Sequence, residues 1–306
     1  MTTMTAAEVQ SQVQQGQSLQ GAELSNIDLQ NAQLDQGQFE QAYLRLANLT
    51  GASCSHANFT AATLMLAKLS GANFQQATLS QALLNAAHLE GTQLQAVNAS
   101  GIKLPKATLD RADFSRAILE HADFTEAQGE TVCFRDAILM KANLTAAQFP
   151  QADLRGAKLN DAVLKGTQLP NAQLMGAALE RCLLQQADLR GADLTNADLI
   201  AAKLRGAILQ ATQLQQASLD HAELLQTQLV GANLTEASFY SANLEGADLS
   251  DATVTGADFR DANLESTTLT NVDFSDCVVA GAVFTNAKGL SEQQHQTLIR
   301  GRALNL

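Results

Sequence analysis

The sequence has no tryptophan, only two tyrosines and three prolines, and four cysteines without close spacing. Because aromatic residues make up 4% of the 306 residues, any interior must be built from small and medium side chains. Four scattered cysteines suggest neither a disulfide framework nor a zinc site, so we expect a reducing, cytoplasmic setting. No apolar run approaches the roughly 18–20 residues of a membrane span, and the opening MTTMTAAEVQ lacks the features of a signal peptide. We therefore predict no association with membranes.

Positive charge is also scarce, since the sequence contains 19 Lys and Arg but 31 Asp and Glu, which gives a net charge of −12. Such a balance argues against direct binding to nucleic acid. The excess is concentrated between residues 220 and 276, where eleven acids accompany a single base. This acidic window consists of Asp220, Glu223, Glu236, Glu245, Asp248, Asp251, Asp258, Asp261, Glu265, Asp273 and Asp276. Its simplest interpretation is solubility, and it is also a candidate binding surface.

The most prominent feature of the sequence is a pattern that repeats every five residues. Positions whose numbers end in 4 or 9, from Leu19 to Phe284, are nearly all Leu or Phe, and all eleven Phe of the chain fall on them. We call these the centre positions. Two residues earlier lie the small positions, which are mostly Ala. Because side chains alternate between the two faces of an extended chain, both positions point inward and the middle position between them points outward. The two remaining residues turn the chain, so each unit is a short strand and a corner.

A chain that turns every five residues closes on itself. Phe pairs spaced 20 residues apart favour four units per coil, and these pairs are Phe39/Phe59, Phe114/Phe134 and Phe239/Phe259. Coils stack at the sheet spacing of roughly 4.8 Å, so residues 17–288 would form about 13 or 14 coils. Two centre positions are unusual, because Ala99 is short and Gly129 has no side chain. We expect a bend or bulge at each, and a cavity at Gly129.

The two ends of the chain carry signals for short capping helices. Residues Thr5 to Glu8 and Ser291 to Gln294 both have the spacing of a capping box. Since an open coil leaves unpaired strand edges at its tips, a helix at each end would cover them. We therefore predict an N-terminal cap at 1–16, a repeat region at 17–288 and a C-terminal helical cap or tail at 289–306.

Units such as Ala192-Asp193-Leu194, Ala197-Asp198-Leu199 and Ala142-Asn143-Leu144 match the consensus A-(D/N)-L-x-x. Over about 17–288 the sequence therefore resembles the pentapeptide-repeat family. The resemblance implies an all-β fold, a right-handed quadrilateral β-helix with four repeats per coil. Some members of that family resemble B-DNA in width and acidity and bind type II topoisomerases in its place, protecting against quinolones. This sequence departs from those members in its mainly Leu centres, its greater length and the lack of a projecting loop.

The same outward positions offer no set of residues for catalysis. Asp188, Asp193 and Asp198 lie on three successive sides of one coil, point in different directions and cannot act together as acid and base. His121 and His221 are five coils apart, which is too far for a shared metal. We therefore predict that the protein is not an enzyme and has no cofactor and no metal site.

Exposed apolar residues give the most informative functional signal. With 20 residues per coil, one wall carries the five residues Tyr43, Leu46, Met65, Leu66 and Leu83 across three adjacent coils. A looser group, Ile118, Ile138, Met140 and Ile200, falls on a neighbouring wall. Contiguous exposed apolar surface usually marks an interface. We predict a structural or protein-interaction module that binds a protein partner, with a homodimer as one form of partner. The alternative is a DNA mimic that modulates DNA gyrase or topoisomerase IV.

Overall fold

The computed structural model describes residues 4–306. The chain divides into two compact units, Met1–Asp153 and Leu154–Leu306, and each is described by itself. The first unit begins with helix α1, Ala6–Gln14, and the second contains helix α2, Glu292–Arg300. Between the two helices, residues 17–288 consist of five-residue sides and corners.

In each unit the coil has 20 residues. Middle positions form single-residue parallel β-bridges to the residue 20 places later, from Ser18↔Gln38 to Cys133↔Asp153 in the first unit. The second unit repeats this ladder from Lys158↔Ala178 to Thr268↔Lys288. The predicted Phe pairs are stacked, with ring centroids 4.7 Å apart for Phe39/Phe59, 5.3 Å for Phe114/Phe134 and 5.0 Å for Phe239/Phe259. The predicted four units per coil are thereby confirmed.

Centre and small positions form the core of both units. The centre residues Leu64 and Leu194 are fully buried, and so is the small residue Ala192. Where Thr replaces Ala, its hydroxyl donates a hydrogen bond to a centre carbonyl, as Thr92 does to Leu69 at 2.9 Å. A buried hydroxyl without a partner would be costly, so this bond explains why Thr is tolerated beside the core. The inward direction predicted for both positions is confirmed.

The corners share one backbone conformation whatever their residue type. From Gly21 to Asn271 the second corner residue of every unit has a positive φ, including Leu66 at 60° and Thr131 at 55°. A positive φ at the third residue of a four-residue turn is the mark of a type II turn, which favours Gly or Asn. For other L-residues this conformation costs roughly 1–2 kcal/mol. The hydrogen bonds of the ladder therefore keep many non-Gly corner residues at a positive φ that their local conformational preference disfavours.

The consensus Asp or Asn has a structural role at the corner that follows it. Its side-chain oxygen accepts a hydrogen bond from the backbone N–H two residues later, as Asp193 does from Thr195 at 3.0 Å and Asn48 from Thr50 at 3.1 Å. The coil ladder leaves this N–H without a backbone acceptor. A short polar side chain is suited to capping it locally. The consensus carboxylates are thus explained by corner geometry rather than by chemistry.

The bulges predicted at Ala99 and Gly129 are not present in the ladder. Ala99 donates its N–H to the carbonyl of Ile118 at 2.8 Å, and Gly129 donates to Gln148 at 2.9 Å, as regular centre residues do. The predicted cavity at Gly129 was also wrong. A Cβ there would lie 2.7 Å from Val132 Cγ2 and 2.8 Å from the carbonyl carbon of Leu109. The larger Val132 at the small position and the close neighbouring backbone fill the space that Gly129 leaves.

Both predicted capping boxes are present. Thr5 caps the amide of Glu8 at the start of α1, and Ser291 caps that of Gln294 at the start of α2. Each helix buries one apolar residue, Val9 in α1 and Leu298 in α2. Each also bonds a terminal coil through a side chain, since Gln10 accepts from the Gln33 amide at 3.1 Å and Gln294 donates to the carbonyl of Val272.

The last coil is closed by the C-terminal segment. Leu304 forms a parallel bridge with Val283 and donates its N–H to Ala282 at 2.7 Å. The segment after α2 therefore covers the last coil. Among the middle positions from Ser18 to Lys288, Asp273 is the exception that forms no bridge. The ladder is thus irregular beside α2.

Candidate interaction surface

We use the name Tyr43 surface for the five apolar residues predicted to share one wall: Tyr43, Leu46, Met65, Leu66 and Leu83. All of them lie in the first unit. Tyr43 and Leu83 belong to one ladder, in which Thr63 bridges both. At the sheet spacing, two rungs separate Tyr43 from Leu83 by roughly 10 Å. The other three residues lie in the corner that follows this ladder, so the structure brings all five together.

Four of the five side chains are well exposed. The exposed fraction is 50% for Tyr43, 42% for Leu46, 38% for Leu66 and 37% for Leu83, whereas Met65 is half-buried. Leu46 and Leu66 occupy the positive-φ position of successive corners, at 61° and 60°. The Leu46 amide donates to the carbonyl of Met65 at 3.0 Å, so these corners are stacked one rung apart. Neither local preference nor core packing calls for large apolar residues at such corners.

Opposite charges flank the Tyr43 surface along its ladder. Glu23 bridges Tyr43 on one side, and Lys103 bridges Leu83 on the other. Glu23 is exposed and accepts a hydrogen bond from the Ser25 amide at 3.0 Å. Hydrogen bonds from Ser25 lower the pKa of Glu23, which keeps this carboxylate ionised. Along this ladder the successive residues are therefore an acid, an aromatic residue, Thr, Leu and a base.

The second predicted apolar group is only partly assembled. Ile118 and Ile138 bridge each other in the first unit, and Ile118 is 38% exposed. Met140 is half-buried at the corner after Ile138. Ile200 belongs to the second unit. Within the first unit this group is therefore smaller and less exposed than the Tyr43 surface.

The carboxylates of the acidic window lie on several sides of the second unit. Glu223, Asp248 and Asp258 occupy three different ladders. Some of them have local partners, since Glu223 pairs with Lys203 at 3.4 Å and both Asp258 oxygens face Arg260. Others stabilise corners, as Asp248 does by accepting the Ser250 amide at 2.9 Å. The charge excess is distributed around the coil rather than collected on one face.

One carboxylate behaves differently from the sequence expectation. Asp188 occupies a regular middle position of its ladder, as Asp193 and Asp198 do, yet it is only 3% exposed. Arg190 folds back over it, and the guanidinium Nε lies 2.9 and 3.0 Å from the two carboxylate oxygens. Burial favours the neutral acid, but the hydrogen bonds from Arg190 outweigh it and lower the pKa of Asp188. The Asp188–Arg190 pair is a structural ion pair that the five-residue period does not reveal.

A polar groove in the first unit was also missed by sequence reasoning. It is lined by residues that include Gln95, Asp113, Cys133 and Arg135. Gln95 donates to Asp113 at 2.7 Å, while its buried Oε1 has no hydrogen-bond partner among the described residues. Burial raises the pKa of the half-buried Cys133 thiol. The lining residues come from stacked corners and middle positions, so their proximity depends on the 20-residue coil.

Two further properties bear on the class of protein. Among residues 4–306, no group of three or more His, Cys, Asp or Glu side chains is placed to hold a metal ion. The helices of the described chain are too short or too polar to cross a lipid bilayer. Stacked five-residue sides with an apolar interior and a varied exterior define a solenoid repeat protein.

The chain belongs to the pentapeptide-repeat family. The family described as pentapeptide repeats matches eight segments, which together cover most of the chain. These segments are 15–45, 27–65, 62–98, 92–127, 137–174, 172–210, 212–251 and 247–286. Residues 128–136, which include Gly129, fall between two of them. The right-handed sense of the coil remains a prediction from the family resemblance.

Several solved pentapeptide-repeat structures are similar to this chain. HetL, involved in heterocyst differentiation regulation in the cyanobacterium Nostoc sp. strain PCC 7120, is 28% identical, with 92% of this chain and 97% of HetL covered and a TM-score of 0.25. Full-length QnrB1, a plasmid-mediated fluoroquinolone resistance protein, is 17% identical, with 70% and 95% covered and a TM-score of 0.33. A protein of the Arabidopsis thaliana thylakoid lumen is 28% identical, with 45% and 77% covered and a TM-score of 0.20. No curated protein sequence matches significantly.

Proposed function

We propose that this protein is a non-enzymatic interaction module that binds a protein partner through the Tyr43 surface. The observation that carries the proposal is the clustering of Tyr43, Leu46, Leu66 and Leu83 on one wall and its adjoining corner. Single exposed apolar residues are ordinary on soluble proteins, but a contiguous group rimmed by charges is typical of an interface. The regular coil supplies a rigid support for this surface.

Conformational cost also supports a binding role. When a partner covers a side chain on a hydrogen-bonded corner, the backbone of that corner loses little conformational entropy, because it was already ordered on folding. Leu66 keeps a large side chain at a positive-φ corner where Gly or Asn would be less strained. Many other non-Gly corners share this φ, so the support for binding comes from the large exposed apolar side chain that Leu66 places on such a corner.

Affinity capture with surface variants tests this proposal. The immobilised protein is compared with its Leu66→Glu variant, which places a charge inside the Tyr43 surface. Met175→Glu is the matched control, because Met175 is also an exposed apolar corner residue, at 46%, and lies in the other unit. We expect Leu66→Glu to lose the captured protein while Met175→Glu retains it. Equal capture by all three proteins would refute the proposal.

A second candidate function is the DNA-mimic alternative, in which the acidic window binds the cationic DNA groove of a type II topoisomerase. The observation in its favour is the acidic excess of the second unit. A negatively charged surface would be drawn to such a groove by long-range attraction. Local pairing at Glu223 and Asp258 reduces the free charge. Titration of the purified protein into gyrase supercoiling and cleavage assays tests this alternative, and unchanged activity over a wide concentration range would eliminate it.

A further inference from the structure

We propose that a second copy of this chain covers the Tyr43 surface, with the two copies packed antiparallel about a two-fold axis. This inference rests on the proposed function, because it takes the Tyr43 surface to be an interface and names its occupant. The axis would run along the strand that contains Thr63, in the plane between the two facing walls. Such an isologous contact requires each surface to be complementary to itself.

The ladder of the Tyr43 surface has this self-complementarity. Its order is Glu23, Tyr43, Thr63, Leu83 and Lys103, with one residue on each rung. Rotation about the proposed axis reverses this order in the second copy. Thr63 then faces Thr63, Tyr43 faces Leu83 and Glu23 faces Lys103. The aromatic ring thus meets an aliphatic side chain, and both ends of the ladder place an acid opposite a base.

The flanking charges are available for these contacts. Within the described chain, neither Glu23 nor Lys103 forms an ion pair. Both lie two rungs from Thr63, so the same rotation aligns both pairs. A complementary arrangement of charges fixes the register and the orientation of two partners.

The corners that follow Tyr43, Thr63 and Leu83 form a column beside the ladder, and the contacts of this column are compatible with the same two-fold axis. The rotation leaves positions along the strand direction unchanged, so this column faces its own copy. Leu66 then faces Leu66, Met65 faces Met65 and Leu46 faces Ala86. These contacts extend the apolar centre sideways, and the one charged residue of these three corners, Arg45, faces the neutral Asn85.

A parallel arrangement of the two copies is disfavoured by charge. If the axis ran along the coil stack instead, each rung would face the same rung of the other copy. Glu23 would meet Glu23 and Lys103 would meet Lys103, giving two like-charged contacts. The corner after Tyr43, which holds Arg45 and Leu46, would also face the corner before it, where Glu40 and Gln41 lie. Leu46 would then lie against polar side chains, although Arg45 would come near Glu40. The antiparallel arrangement avoids both conflicts.

Charge exchange tests the proposed register in the full-length protein. Sedimentation equilibrium is measured for the wild type, Glu23→Lys, Lys103→Glu and an equimolar mixture of the two variants. We expect a wild-type dimer, and each single variant should raise the dimer dissociation constant at least about tenfold through two like-charged contacts. In the mixture both charge pairs are restored, so a one-to-one heterodimer should re-form. Lys68→Glu, at an exposed position on the next ladder, should dimerise as the wild type does.

The outcomes separate this inference from the function it rests on. A wild type that stays monomeric at all concentrations, or a mixture that does not recover, would overturn the antiparallel dimer. If Leu66→Glu still abolished capture of another protein, the proposed interaction function would remain. Circular dichroism melts of the single variants show whether any loss of dimer comes from unfolding. Recovery of the dimer in the mixture would show independently that both variants are folded.

Discussion

Two adjacent residues in the second unit offer a sharp test of the coil geometry. Leu194 occupies a centre position and is fully buried, whereas Asp193 occupies a half-exposed middle position. The paired substitutions Leu194→Asp and Asp193→Leu exchange the same two residue types at neighbouring positions. If the period of five assigns inside and outside correctly, their effects on stability must differ greatly.

The magnitude for Leu194→Asp follows from burial. Removing a buried Leu side chain costs about 2–5 kcal/mol. A carboxyl group without a partner in the vacated space adds several kcal/mol more, whether it stays ionised or takes up a proton. We therefore expect a loss above about 5 kcal/mol, which is comparable to the whole stability of many domains. The coil that contains Leu194 should unfold.

The magnitude for Asp193→Leu follows from one hydrogen bond. Asp193 accepts the Thr195 amide at 3.0 Å, and Leu cannot replace this acceptor. Because Thr195 is itself half-exposed, water can reach the freed N–H, and the cost should be about 1 kcal/mol. Asp193→Asn keeps an acceptor oxygen at the same place and serves as the control with near wild-type stability.

Urea denaturation followed by far-UV circular dichroism measures all three variants. Because the coils of a solenoid can unfold in parts, the whole transition is compared as well as its midpoint. The account predicts a slightly lower midpoint for Asp193→Leu and a large loss of native signal for Leu194→Asp. Equal shifts for the two substitutions would refute the assignment of centre and middle positions.

Three further predictions follow from the structure. Gly129→Ala should lower stability by about 1–3 kcal/mol in urea denaturation, since its Cβ would meet Val132 at 2.7 Å, and unchanged stability would show that the coil has room there. In a thiol-reagent assay, half-buried Cys133 should react first in the native protein, because burial raises the pKa of Cys182, and also that of the other half-buried thiol, Cys277, to about 12. Native Cys133→Ser protein that reacts as fast as wild type would contradict this. The lowered pKa of Asp188 means that its ion pair contributes fully above the unfolded pKa of about 3.9 and is lost as pH falls through the folded pKa. Thermal melts from pH 7 to below 4 should therefore show less acid sensitivity in Asp188→Asn, and an identical pH profile would exclude this role.

The sequence was sufficient to predict the 20-residue coil and which side chains face its interior. A strict period of five leaves one consistent assignment of faces, and stacked pairs such as Phe39/Phe59 can be read from the spacing of rare large residues. The capping boxes at Thr5 and Ser291 were predictable because capping depends on a few neighbouring residues. The Tyr43 surface could be assembled for the same reason, because a 20-residue coil converts sequence spacing directly into neighbours on a wall.

What the sequence did not predict depends on side-chain placement between coils. The burial of Asp188 requires Arg190 to fold back, which no repeat position specifies. At Gly129 a missing side chain suggested a cavity, but compensation by Val132 and the neighbouring backbone is a packing property. The irregular ladder at Asp273 lies where Gln294 of α2 donates to the neighbouring carbonyl of Val272. Each of these features is set by tertiary contacts rather than by the local pattern.

The most direct test of the account compares Leu64→Ala with Leu66→Glu, two changes two residues apart. Leu64 is fully buried at a centre, and Leu66 is 38% exposed on the Tyr43 surface. Stability and self-association are measured on both variants, with stability determined at a concentration where the wild type is monomeric. The account predicts that Leu64→Ala loses about 2–5 kcal/mol of stability but still associates while folded, and that Leu66→Glu keeps its stability but does not associate. Loss of both properties in both variants, or of neither, would contradict the separation of a structural interior from a functional surface.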